Sequence, residues 1–155
     1  MRPANVAEDT DGDAVAVAER NARRKAEAVP GPLVLGADTV VAIDGVILGK
    51  PADRAEARAH LARLSGRTHE VVGAIVLAEH GSVVASAVEV TRVTFHARTA
   101  EEIDAYVTTG EWVGRAGGYA IQETGGSFLV KGVEGDYLNV VGLPLERLKM
   151  LLEKR

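Results

Sequence analysis

The chain's 155 residues include 18 Lys and Arg against 22 Asp and Glu, a formal net charge of −4. That balance gives no global field for holding a polyanion, and it disfavours a nucleic acid polymer as partner. With 46% hydrophobic and 26% charged residues the chain has the composition of an ordinary globular domain, and about 150 residues is the usual size for one. Cysteine is absent, which removes disulfides, thiolate metal sites and Cys nucleophiles together.

Asp13 precedes an alanine-rich run from Ala14 to Val29 and reads as the N-cap of a helix there, with Pro30-Gly31-Pro32 as its stop. Leu33 to Ile43 reads as a mostly buried strand interrupted by small and polar residues at its middle. Asp44-Gly45 has the composition of a type I′ hairpin turn, which needs positive φ at both central positions, so Val46 to Leu48 should return antiparallel. Asp53 with Glu56 three residues on caps a helix that presents Ala57, Leu61 and Leu64 and stops at Gly66. Glu70 to Ala78 and Val83 to Phe95, separated by His80-Gly81, read as a second and longer hairpin.

Thr99 with Glu102 is another capping box, opening a helix to Thr109 with Gly110 as stop. Glu111 to Gly118 has the glycines of a structured loop, and strand candidates follow at Tyr119–Gln122, Phe128–Val133 and Tyr137–Val141. A last helix begins with Pro144 and is expected to bury Leu145, Leu148, Leu151 and Leu152. Helices interleaved with hairpins imply an α/β domain with a mixed sheet. No apolar run approaches the ~18 residues of a membrane span, and the first residues lack a signal peptide's basic start and apolar stretch. The expectation is a cytoplasmic chain with no membrane partner. The 4% aromatic content, with one tryptophan at Trp112, argues against a base-stacking platform for single strands.

Polar residues inside apolar strands point to chemistry, because a buried carboxylate is costly unless a cation or hydrogen bonds compensate it. Asp38 is the leading case, either as a catalytic group or as a carboxylate bonded to backbone amides at a strand break. Lys50 lies just after the returning strand of the Asp44-Gly45 hairpin. It reads either as an exposed loop lysine or as a cation sharing one sheet end with Asp38, a pairing that suits an anionic ligand. Arg23, Arg24 and Lys25 form a basic turn that reads as a solvated helix face able to send one side chain into a site. His69 is a base, a metal ligand or a structural hydrogen-bonding group. Gln122 and Asn139 are polar groups among apolar neighbours in glycine-rich surroundings, where backbone can approach a ligand closely or simply turn. There is no Gly-x-x-x-x-Gly-Lys-Ser/Thr phosphate loop.

Five segments in order carry a resemblance. They are Leu35-Gly36-Ala37-Asp38-Thr39-Val40-Val41, Leu48-Gly49-Lys50-Pro51, Leu64-Ser65-Gly66-Arg67-Thr68-His69-Glu70-Val71, Ala116-Gly117-Gly118-Tyr119-Ala120-Ile121-Gln122, and Gly135-Asp136-Tyr137 through Pro144. Together, covering roughly Lys25 to the C-terminus, they resemble the Maf family of nucleoside triphosphate pyrophosphatases. The resemblance implies an elongated mixed sheet flanked by helices in a two-lobed, ITPase-like architecture with the active cleft between the lobes.

It also implies hydrolysis between the α- and β-phosphates of a nucleoside triphosphate to the monophosphate and pyrophosphate, with Mg²⁺ or Mn²⁺, as a nucleotide-pool cleaning function. By the same resemblance Asp38 is the catalytic aspartate and a metal ligand, Lys50 and Lys25 are the two lysines facing the phosphates, and Gln122 contacts the ligand. Glu8, or Asp9 beside it, matches an upstream acidic position as a second metal ligand. Thr39 resembles the branch preferring dTTP and UTP, which adds modified pyrimidines to the expected substrates, and Arg115 stands near a loop lysine of the family.

Two departures accompany the match. The family's opening strand and Ser-Pro-Arg-Arg loop, which clasps the triphosphate, have no counterpart before Met1-Arg2-Pro3-Ala4, so the chain reads as N-terminally short. Glu123 stands where the family usually has glycine. The first departure adds a second expectation beside the enzyme: a catalytically impaired nucleotide-binding or interaction protein of the same fold. A homodimer is one expected assembly.

Overall fold

A computed structural model describes residues 12–153. The chain order is α1 (Ala14–Ala28), β1 (Val34–Ile43), β2 (Val46–Leu48), α2 (Arg54–Leu64), β3 (Thr68–Glu79), β4 (Ser82–Phe95), α3 (Ala100–Thr108), α4 (Gly126–Leu129), β5 (Val130–Glu134), α5 (Tyr137–Val141) and α6 (Leu145–Glu153), with a short 3₁₀ turn at Ala116–Gly118 before α4. The strands form one sheet in the order β2-β1-β3-β4-β5. This is the expected α/β arrangement of a central sheet flanked by helices. Every described pairing is antiparallel: β1–β2 and β3–β4 are hairpins, while the β1–β3 and β4–β5 connections are longer and carry helices.

The local signals account for most of these elements. The Asp13 side chain accepts from Ala16 N, that of Asp53 from Glu56 N, and Thr99 with Glu102 forms a reciprocal capping box. Asp44 and Gly45 both have positive φ, as do His80 and Gly81, so the two hairpins turn where their dipeptides indicate. Alternation along the strands then divides the core between the two sheet faces. Val40, Val72, Ala74 and Val76 pack under α1, whereas Val41, Val71, Val93 and Phe95 pack with α2 and α3.

Three stretches differ from their expected state. Tyr119–Gln122 is irregular, not a strand, and the Ala120 amide donates to the Tyr106 hydroxyl at 3.1 Å instead of to a ladder. In Phe128–Val133 the first residues belong to α4, and strand begins at Val130. Tyr137–Val141 is helix α5, because Asp136 caps it by accepting from Leu138 N at 2.8 Å, and the cap overrides the β propensity of the valines. In α6 none of the four leucines is fully buried: Leu145 and Leu152 are exposed at 46% and 43%, and Leu148 and Leu151 are half-buried. No helix among the described residues is long and apolar enough to cross a membrane.

Candidate functional site

Asp38 lies on β1 two residues before Val40, hence on the face that α1 covers. α1 approaches this strand closely because residue 36 is glycine. A Cβ there would overlap Ala22 O and crowd Ala26 N, so no other side chain lets the helix rest at this depth. At that depth Asn21 and Lys25, one helical turn apart, face the aspartate. Lys25 Nζ donates to Asp38 Oδ1 at 3.0 Å and Asn21 Nδ2 to Oδ2 at 3.2 Å. Asp38 is only 6% exposed and Asn21 only 2%. Among the described residues the buried charge is met by the Lys25 cation and the neutral Asn21 donor, the condition under which a carboxylate is tolerated there.

β2 pairs with β1 only from Val41 onward, so among the described residues Asp38 has a strand neighbour on the β3 side alone. Beside it opens a pocket of about 220 Å³. Lys25, Asp38, Thr39, Lys50, Arg115 and Gln122 all line it. Six residues singled out in the sequence are therefore brought to one cavity; Glu8, the remaining candidate, lies outside the described residues. Among the described residues lining the pocket are three cations and a single carboxylate, a positive lining in a chain whose formal charge is −4. A lining of that sign concentrates anions.

Asp38 and Thr39 come from β1 and Lys25 from α1, while the other three come from loops. Lys50 follows β2 on a loop tied to the next one by the Gly117 amide, which donates to Gly49 O at 3.2 Å. Arg115 enters from that second loop and lies 3.8 Å from Glu123 on the surface. The residue that departs from the expected glycine therefore pairs with the cation that stands near the expected lysine. Gln122 follows Tyr119-Ala120, a segment held by two tyrosines. Tyr106 of α3 accepts from Ala120 N, and the Tyr119 hydroxyl lies 2.7 Å from His69 Nε2 in the core.

His69 is consequently a structural histidine, packed edge-on against Phe95 and Tyr119, and burial pushes its pKa down to about 4. Burial pushes the Tyr106 hydroxyl up to about 12 and raises that of Tyr119 as well, so both are neutral hydrogen-bonding groups at neutral pH. The pocket is also lined by the apolar and aromatic residues Val71, Tyr119, Ala120, Val140 and Val141.

Sequence reasoning missed Asn21 and Tyr106. Asn21 was recoverable from spacing, being a polar residue four positions before Lys25 on the alanine face of α1. Nothing local marks Tyr106. Among the described residues no group of three or more His, Cys, Asp or Glu could hold a metal ion by itself. Asp38 is the hard-oxygen side chain in the pocket lining that would hold a Mg²⁺-like cation there.

A family model described as Maf-like protein matches residues 1–155. A dTTP/UTP pyrophosphatase of Symbiobacterium thermophilum is 50% identical over 138 residues, covering 86% of this chain and 70% of that protein. A dTTP/UTP pyrophosphatase of Myxococcus xanthus is 51% identical over 139 residues, 87% of this chain and 69% of the relative. One from Pyrococcus furiosus is 40% identical over 159 aligned positions, 99% of this chain and 83% of the relative.

Proposed function

The chain belongs to the Maf-like protein family, and we propose that it is a nucleoside triphosphate pyrophosphatase acting on dTTP, UTP and related or modified pyrimidine nucleotides. The observation that carries this reading is one pocket lined both by cations, Lys25 and Lys50 together with Asp38, and by a wall of apolar residues that includes Val71, Val140 and Val141. The cations suit a triphosphate and the wall suits a base and sugar. The names of the relatives supply the pyrimidine preference.

In this reading one water is added across the α,β-phosphoanhydride, giving a nucleoside monophosphate and pyrophosphate. Asp38 orients the water and accepts its proton at a carboxylate oxygen. Lys25 and Lys50 stabilise the charge that gathers on the phosphate oxygens as the bond breaks. Lys25 has a second task, since its ion pair with Asp38 fixes which way the carboxylate faces. Thr39 and Gln122 contact the nucleotide, and Arg115 closes the loop side. A Mg²⁺ or Mn²⁺ ion carried on Asp38 and the substrate phosphates would supply charge neutralisation and Lewis acidity there.

Product identification tests this. Incubation with dTTP and Mg²⁺ should give dTMP and pyrophosphate in equal amounts. Formation of dTDP and inorganic phosphate would replace the reading with a phosphatase, and saturable dTTP binding without any product would replace it with a nucleotide-binding protein.

A further inference from the structure

Asn139 is fully buried beside the pocket without lining it. Its amide nitrogen lies 3.0 Å from Val71 O, 3.1 Å from Glu89 O and 3.1 Å from Thr91 Oγ1, so two N–H groups serve three acceptors on β3 and β4. Strand carbonyls have a second lone pair to offer a donor arriving from the sheet face. Thr91 is fully buried too, and its hydroxyl donates to the backbone carbonyl of Asp136 at 3.0 Å. The amide oxygen of Asn139 has no hydrogen-bond partner among the described residues and rests on Gly73, where a Cβ would overlap it.

Gly73 is opposite Thr39 in one strand register and opposite Glu89 in the other. Asn139 therefore stands next to the pocket floor at Thr39. The three residues after it, Val140, Val141 and Gly142, also line the pocket. In α5 the only fully buried residue is Asn139, while Tyr137 and Leu138 are exposed. Val140 and Val141 are partly buried against the core, and Asn139 adds to that packing a polar tie to both strands that leaves its amide oxygen without a partner among the described residues, a costly arrangement. A leucine in that space would remove the unsatisfied oxygen but could not bond both strands.

We propose that Asn139 is a positioning residue which, with Thr91 and Gly73, fixes the gap between the Val140–Gly142 wall and the floor at Thr39, and that this gap selects pyrimidine over purine nucleotides. The base selectivity rests on the pyrophosphatase reading; the clamp itself does not.

Two variants test it. Thr91→Val keeps shape and burial while removing the hydroxyl, and Asn139→Ala removes the clamp. The readouts are amide hydrogen exchange in nucleotide-free protein and kcat and KM for dTTP and dATP. The Gly142 and Leu143 amides, both bonded to Leu138 O, should exchange about tenfold faster in Thr91→Val and faster still in Asn139→Ala. KM for dTTP should rise about tenfold with kcat within about twofold, and the dTTP-to-dATP ratio of kcat/KM should fall about tenfold.

A purely structural role would change both substrates equally and leave that ratio where it was. Unchanged exchange at Gly142 and Leu143 in folded Thr91→Val, or an unchanged base ratio in a variant that still turns over dTTP, overturns the proposal. If Asn139→Ala does not fold, Thr91→Val decides alone. If the wild-type chain turns over neither nucleotide, the pyrophosphatase reading fails and the exchange comparison decides the clamp by itself.

Discussion

Replacing Lys25 by methionine keeps the helix and most of the side-chain volume but removes the Lys25 cation from the Asp38 carboxylate. At 3.0 Å the bare attraction is about 5 kcal/mol at an effective dielectric of ~20, before any desolvation is subtracted. The Asp38 side chain is 3% exposed and that of Lys25 20%, so water reaches the lysine but hardly the aspartate. Breaking a fully buried pair costs about 3–5 kcal/mol, and the partial exposure of Lys25 puts this one at the lower end, about 3 kcal/mol. The loss arises from an uncompensated charge, so neutralising the charge should repair it. Asp38→Asn placed on Lys25→Met should recover about 2 kcal/mol, with Asn21 still able to bond the new amide. Urea unfolding of the four proteins, read as midpoint shifts at constant m, measures this. A Lys25→Met loss below about 0.5 kcal/mol, or a loss that is the same with Asn at position 38, would refute the reasoning.

Other consequences follow from the same packing. Gly36→Ala forces α1 away from β1 and should cost about 2–3 kcal/mol by overpacking; an unfolding midpoint equal to wild type would contradict the role given to that contact. His69 is held neutral by burial, with its pKa pushed from 6.5 to about 4. Between those values the unfolded chain takes up a proton that the folded chain refuses, so stability is whole above pH 6.5 and falls as pH drops toward 4, by about 3 kcal/mol in all. His69→Phe should flatten that slope, and an unchanged slope between pH 4 and 6.5 would show that another group is responsible. Lys50 is exposed, so Lys50→Met should leave the melting temperature unchanged while lowering kcat/KM for dTTP about 100-fold. A loss of less than threefold would remove Lys50 from the site.

What the sequence made legible was whatever local chemistry decides. Asp13, Asp53 and Thr99 mark helix starts because a cap involves only four consecutive residues, and Asp44-Gly45 and His80-Gly81 mark hairpins because few residues accept positive φ. Asp38, Thr39, Lys50 and Gln122 were legible through ordered motifs, and Lys25 and Arg115 through their places relative to lysines of the family, although the pocket they share depends on packing. Tertiary partners were not legible. Asn21 meets Asp38 only because glycine at 36 lets α1 descend. Tyr137–Val141 reads as a strand by propensity, yet it is helical with Asn139 bonding strands about 50 and 70 residues earlier in the chain. The leucines of α6 have helical spacing, but spacing names a face without saying how much surface is available to cover it.

The central claim is that Asp38 serves a triphosphate bound by the cations of the pocket. Pyrophosphate release from dTTP and UTP with Mg²⁺ or Mn²⁺, compared between the wild-type chain and Asp38→Asn, tests it most directly. The account predicts release by the wild type and a loss on the order of 1000-fold or more in the variant, with the fold retained. Release by a folded Asp38→Asn chain at a rate within tenfold of wild type would contradict it.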